Sequence, residues 1–267
     1  MIKNFKIFAK ALHYINKHDK LYRQAKKLLK QGKKQEAGEF IQGEVNKFAD
    51  YCMEITGCTL EVTGLENIPT DRAVVYIANH QGLLDMILMM GSIPYPKGFI
   101  AKIETLKIPK ISTWMKIMDC VFMDRKNMKK SVQAIYDGIE IVKSGHSMVI
   151  FPEGTRSRGG PVKPFKAGSF KLAFGSGADI IPVSIDGTWH AYEETGKITG
   201  CPLRLTVHPS VKTAGLSKQE QNQVVAQVQK TIESALTQLS FKEPIAQNNE
   251  AGITREDGTR DGAKSEN

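Results

Sequence analysis

The 267-residue chain predicts an α/β domain built on a central, largely parallel sheet, and three observations predict it. Six short, mostly apolar runs, "AVVYIA" (73–78), "GFIA" (98–101), "VFM" (121–123), "MVIF" (148–151), "IIPVSI" (180–185) and "LRLTV" (203–207), recur with helical patterns between them. Strands covered on both faces read as nearly continuous apolar runs of this kind. Polar residues with chemical potential follow four of these runs directly, and in open α/β sheets ligands bind beyond the carboxyl ends of the strands. A hydrophobic content of 41% can fill one sizeable core with appendages.

The first segment, 1–56, reads as helical. Ile2, Phe5, Phe8, Ala9, Leu12, Ile15, Tyr22, Ala25 and Leu29 recur at helical spacing with lysines between them. This describes one basic amphipathic helix, broken at Gln31-Gly32 and followed by a second over about 35–56. The net charge of +9 resides here: residues 1–34 hold eleven Lys or Arg against one acid, Asp19. Such a helix fits a membrane interface, apolar face down and lysines on anionic headgroups; packing on its own domain with a solvated lysine face is the alternative. Nucleic acid is not expected, because no aromatic-basic interleaving or binding motif occurs.

The second segment, 57–240, carries the six runs, with helices predicted over 128–144 and 166–174. A last helix starts at "SKQE", where Ser217 and Glu220 match a capping box, and runs to about Ser240. The remaining 241–267 are polar and Gly-rich with little to bury, and are expected to be disordered. No stretch approaches the ~20 apolar residues needed to cross a bilayer, and no signal peptide is evident, which predicts a cytoplasmic, non-spanning protein. Cys52, Cys58, Cys120 and Cys201 form no CxxC pair, so neither a disulfide nor a zinc site is expected.

The four strand ends carry Asn79-His80, Lys102, Asp124-Arg125 and Pro152-Glu153-Gly154-Thr155-Arg156. Three of the four bring a cation, which points to one site that holds an anion. His80 and Asp85 would lie about 140° apart on one continuous helix and could not meet. A helix starting near Gly82-Leu83 would let Asp85 accept the imidazole Nδ1–H and leave Nε2 as a base; a plain helix start, with Asp85 complementing the dipole, is the other reading. The loop "FPEGTRSRGGPVKPFKAGS" could cradle phosphate through its amides and guanidinium groups, or be a solvated basic turn. Nucleotide loops, serine-hydrolase elbows and metal spacings are absent from the sequence.

"NHQGLLD", "DCVFMDR", "FPEGTRS" and "IIPVSI" resemble, in this order, the NHxxxxD, apolar-then-Arg, FPEGTR and late IIPV blocks of the glycerolipid acyltransferases, over about residues 57–210. The resemblance is greatest to the bacterial enzymes that acylate lysophosphatidate. It implies a glycerol-3-phosphate acyltransferase-like αβα domain, with a mostly parallel or mixed sheet, preceded by the amphipathic segment. It also implies transfer of an acyl group from acyl-ACP or acyl-CoA to the sn-2 hydroxyl of 1-acyl-glycerol-3-phosphate, making phosphatidic acid for phospholipid biosynthesis.

His80 would then be the general base and Asp85 its orienting partner. Glu153, Gly154, Thr155 and Arg156 would form the acceptor site, with Arg125 and Arg156 on the 3-phosphate and Lys102 lining the same site. Asp119 stands where the family often has Gly. No metal or prosthetic group is implied. The expected partners are lysophosphatidate, an acyl carrier protein or CoA thioester, and an anionic phospholipid surface on the inner face of the cell membrane. Two other readings remain: the same chemistry on another lysophospholipid or on glycerol 3-phosphate, and a non-catalytic membrane-binding protein.

Overall fold

The computed structural model describes residues 2–240 and 253–255. The N-terminal segment forms α1 (Ile2–Lys17), α2 (Asp19–Lys30) and α3 (Lys34–Thr56). The single helix expected before Gln31-Gly32 is thus two. The chain turns at His18, whose Nδ1 lies 2.7 Å from the Tyr14 carbonyl oxygen. Asp19 then opens α2, where a carboxylate suits the positive helix terminus, and pairs with both Arg23 and Lys110. The break at Gly32 is present, with φ +75°.

The six predicted runs form strands: β2 (Val75–Ala78), β3 (Lys97–Lys102), β4 (Val121–Met123), β5 (Ser147–Ile150), β6 (Ile180–Asp186) and β7 (Pro202–Val207). An additional strand, β1 (Thr59–Thr63), escapes a search for apolar runs because only Leu60 and Val62 are buried while Glu61 faces solvent. Of the tail expected to be disordered, Ile253–Arg255 forms β8 and pairs parallel with β1; the rest lies outside the described residues. The strand order is β4-β3-β5-β2-β6-β7-β1-β8. All the pairings are parallel except β6 with β7, so the sheet is mixed.

Between the strands run α4 (Asp85–Ser92), α5 (Ile111–Ile117), α6 (Met128–Lys143), α7 (Ala167–Ser176) and the short α8 (Thr188–Ala191); α9 (Lys218–Ser240) follows β7. Side chains alternate across β2 as the pleat requires. Val74, Tyr76 and Ala78 pack in a core with α3, α4 and α5, while Val75 and Ile77 pack with α6, α7 and α9. The result is an αβα sandwich. The capping box of α9 is formed, Ser217 N donating to Glu220 Oε2 at 2.7 Å.

One polar tie sits inside the first layer. The buried Lys97 amino group donates to the Gln42 side chain of α3 and to the carbonyls of Met90, Ile93 and Tyr95, at 2.8 to 3.1 Å. A donor there meets carbonyls at and just beyond the end of α4 that lack intrahelical partners. It holds α3 and α4 together, and Asp85 opens α4.

Candidate active site

Asn79, buried at the end of β2, sets the first coordinate of the site. Its side-chain amide donates to the Ile185 carbonyl and its oxygen accepts from Ile185 N, both at 2.8 Å. It thereby continues the β2–β6 pairing with a side chain and presents the next residue, His80, at the sheet edge.

The chain turns over residues 80–84, and α4 begins at Asp85 itself, two residues later than expected. The fully buried Asp85 carboxylate faces back over this turn. Its Oδ2 lies 2.6 Å from His80 Nδ1 and accepts from Gln81 N at 2.7 Å and Gly82 N at 3.0 Å. Its Oδ1 accepts from the Thr188 hydroxyl. Oδ2 already accepts from two backbone N–H groups and faces the ring as an acceptor too, so Nδ1 carries the ring proton. Nε2 is therefore the basic nitrogen. The ring itself is seated on Phe151, centroids 4.4 Å apart and planes 24° apart. Gly82 is required for the turn, since a Cβ there would lie 2.7 Å from Glu193 Oε2 and 2.8 Å from the Thr188 carbonyl oxygen.

The loop after β5 is laced onto this turn. Glu153 accepts from His80 N at 2.6 Å and from Lys163 N at 3.0 Å. Ser157 N and Arg158 N donate to the carbonyls of His80 and Gln81, at 2.7 and 3.1 Å. Burial raises the Glu153 carboxyl above its ordinary value, against the pull of these amides and of the nearby cations. Both Glu153 oxygens are thus engaged by backbone donors. The contacts give Glu153 a clamping role on the loop and on His80.

The expected cations divide in two. Arg125 donates to the Gly154 carbonyl, which joins the end of β4 to the glycine loop. Burial lowers the Arg125 guanidinium below its ordinary value, and nearby Glu104 opposes this. Lys102 is paired with the same Glu104 at 3.1 Å and is exposed. Arg156 lies on the other side, in an ion pair with Glu193, whose Oε1 also accepts from Leu83 N at 2.9 Å. Thr155 is exposed between these groups. Gly154 adopts φ +71° close to Lys166, a conformation suited to a residue without Cβ. Asp119, before β4, also has positive φ, 54°, which accounts for the ease of Gly at that position.

Sequence reasoning missed Thr188, Glu193 and Phe151. Phe151 closes the run "MVIF" and its contact with His80 had no local signal; Thr188 and Glu193 lie more than a hundred residues beyond the turn they brace. No cluster of three or more His, Cys, Asp or Glu able to hold a metal occurs among the described residues. Beside the site, Leu83 and Leu84 enter an apolar chamber of about 340 Å³, lined also by Ile7, Tyr14, Phe48, Trp114 and Met118.

The αβα sandwich thus presents a carboxylate-oriented histidine, with cations on the neighbouring loops and an apolar chamber alongside. Residues 59–186 match the family described as Acyltransferase. The 1-acyl-sn-glycerol-3-phosphate acyltransferase of Borreliella burgdorferi is 31% identical over 173 residues, which are 64% of this chain and 69% of that protein. The probable 1-acyl-sn-glycerol-3-phosphate acyltransferase of Mycoplasma pneumoniae is 32% identical over 154 residues, 54% of this chain and 56% of that one. The crystal structure of the 1-acyl-sn-glycerophosphate (LPA) acyltransferase PlsC from Thermotoga maritima superposes with a TM-score of 0.73 and 28% identity, covering 91% of this chain and all of that one. The chain belongs to this acyltransferase family and is an acyltransferase.

Proposed function

We propose that the protein transfers an acyl group from an acyl thioester to the sn-2 hydroxyl of 1-acyl-glycerol-3-phosphate, making phosphatidic acid. The observation that carries this reading is the His80–Asp85 contact of 2.6 Å, which leaves Nε2 as a base on the turn to which the loop of Arg156 is laced, with an apolar chamber alongside. Nε2 takes the proton of the acceptor hydroxyl as its oxygen attacks the thioester carbon. The tetrahedral adduct collapses, the C–S bond breaks, and the imidazolium returns the proton to the leaving thiolate. A positioned base of this kind contributes ~10²–10⁴-fold. Because the thioester is already activated, the reaction needs no ATP.

Arg125 and the guanidinium nitrogens of Arg156 not engaged by Glu193 supply the phosphate contacts, with Lys102 adding positive potential. The apolar chamber takes an acyl chain. Acyl-ACP and acyl-CoA both offer the required thioester.

For the approach to lipid, α1 divides its residues into three faces. Ile7 and Ile15 are buried against the domain, lysines occupy a second face, and Phe5, Phe8 and Leu12 are 75%, 47% and 43% exposed. These three fall within about 60° of arc on the helix. Solvated apolar side chains beside lysines support peripheral binding to the anionic cytoplasmic leaflet. No helix among the described residues is long and apolar enough to cross a membrane.

The test is thiol release from acyl-ACP or acyl-CoA with lysophosphatidate, other lysophospholipids and glycerol 3-phosphate as acceptors. His80→Ala should abolish release, and Arg125→Ala should chiefly raise the acceptor KM. Release without preference for lysophosphatidate would move the assignment to another acceptor; full activity of His80→Ala would remove the mechanism.

A further inference from the structure

The antiparallel turn between β6 and β7 has a second effect on the site. Because β7 and β1 run against the other main strands, their N-terminal ends lie at the same sheet edge as the C-terminal ends of β2 and β6. The residues just before these two strands are Cys201 and Cys58. Thr59 and Pro202 are register partners, so the two cysteines are the next pair along, and their sulfurs are 3.9 Å apart. Backbones approach closely here, since a Cβ on Gly200 would lie 2.3 Å from the Gly57 carbonyl oxygen. Neighbouring strands run about 4.8 Å apart, inside the Cα separation of ~4.4–6.8 Å that a disulfide spans. Both thiols are free, Cys58 buried and Cys201 partly exposed.

The same pair touches the support of Asp85. The Cys201 Sγ lies 3.7 Å from the Gly187 carbonyl oxygen. Gly187 is packed so tightly on β7 that a Cβ there would lie 2.5 Å from the Pro202 carbonyl oxygen. The next residue, Thr188, donates its hydroxyl to Asp85 Oδ1.

We propose that Cys58 and Cys201 form a reversible redox dithiol that closes to a disulfide on reaction with a hydroperoxide, and that closure slows acyl transfer through the Gly187-Thr188 corner. The Cys58 sulfur, which the Cys201 S–H 3.9 Å away holds as the more acidic thiol, attacks the peroxide oxygen; the O–O bond breaks, leaving a sulfenic acid and releasing an alcohol or water. The Cys201 sulfur then attacks the Cys58 sulfur, the S–S bond forms, the S–O bond breaks and water leaves. The two sulfurs together lose the two electrons that the peroxide gains. Transient, regulatory disulfides are the kind found in reducing compartments. Closure must draw the Cys201 sulfur toward Cys58 and away from the Gly187 carbonyl. A shift of about 1 Å at a catalytic support costs up to ~10²-fold.

The inference about activity rests on the acyl-transfer reading; the chemical one does not, and the experiment separates them. The full chain is treated with hydrogen peroxide, the peroxide removed, and one portion digested without reduction for mass spectrometry. The expected result is a Cys58–Cys201 linked peptide two hydrogens lighter than its parts, lost again with dithiothreitol. Another portion is assayed for thiol release, where kcat should fall roughly ten- to hundredfold and recover on reduction. Cys58→Ser and Cys201→Ser should each keep the untreated rate and resist peroxide; Cys58→Ala and Cys201→Ala serve if serine disturbs the fold. Oxidation that stops at a sulfinic acid on Cys58, or links other cysteines, would overturn the dithiol. A linked peptide with an unchanged rate would overturn its coupling to Asp85.

Discussion

Asn79 and Ile185 exchange two hydrogen bonds of 2.8 Å, so a side-chain amide finishes a strand pairing that the backbone of β2 cannot continue. The chain leaves the sheet at this point to make the turn that carries His80. Asn79→Leu, close in volume, would strand a buried N–H and a buried carbonyl at Ile185. Each unpaired group costs ~1–3 kcal/mol, and the expected drop in Tm is about 10 °C by scanning calorimetry. A Tm within about 2 °C of the parent chain would show that water replaces the amide.

Asp85→Asn tests the tautomer. An amide NH2 placed toward His80 Nδ1 would favour the ring with its proton on Nε2, the wrong nitrogen for a base. In comparable His–carboxylate pairs this change lowers kcat by ~10⁴ with the geometry retained. Thr188→Val removes one donor from Oδ1 and should cost less, about tenfold. Thiol-release rates together with circular dichroism read both, and an Asp85→Asn enzyme within tenfold of the parent would sink the orienting role.

Lys97 predicts a pH dependence of stability. Burial pushes its amine down to about 7, while the four oxygen acceptors around it favour the charged form. Between that value and the unfolded value of about 10.4, the unfolded chain binds the proton that the folded chain has lost. This group therefore makes stability rise with pH through that window and contributes nothing further above it. Chemical denaturation of the parent chain and of Lys97→Met across pH 7–10 isolates it by difference. The difference curve should climb in favour of the parent; a flat one would mean that the ammonium keeps its proton in the folded state.

Phe5→Ser and Leu12→Ser, made together, test the exposed face of α1 without opening the chamber beneath it, which Phe8 helps to line. Both side chains face solvent, so the Tm should move little. Each large apolar group inserted into lipid is worth ~1.5–3 kcal/mol, so binding to anionic liposomes should fall by at least about a hundredfold in a sedimentation assay. Unchanged sedimentation would place the membrane contact elsewhere on the molecule.

The strands legible in the sequence are those covered on both faces, because burial on both sides leaves a continuous apolar run such as "IIPVSI" or "MVIF". Strand β1 was not, since it alternates Leu60, Glu61 and Val62 and looks locally like a loop. The break at His18 was equally hidden, because Asp19 is drawn to Lys110, a partner 91 residues away. His80 and Asp85 were legible as a pair because only five residues separate them and a helix start between them is a local event.

By itself, then, the sequence determined which segments bury on both faces, where the reactive residues cluster after them, and the charge carried by the first 34 residues. These depend on local pattern and composition. The tertiary structure decided what surrounds the His80–Asp85 turn. Glu153 became a clamp because both of its oxygens meet backbone amides, and Arg156 acquired Glu193 as a partner. The parallel pairing of β6 with β2 placed Thr188 behind Asp85, and the reversal of β7 set Cys201 beside Cys58. Contacts such as Thr188 with Asp85 and Cys58 with Cys201 join residues more than a hundred positions apart, and their closing is governed by the packing of the whole sheet rather than by any signal in the flanking residues.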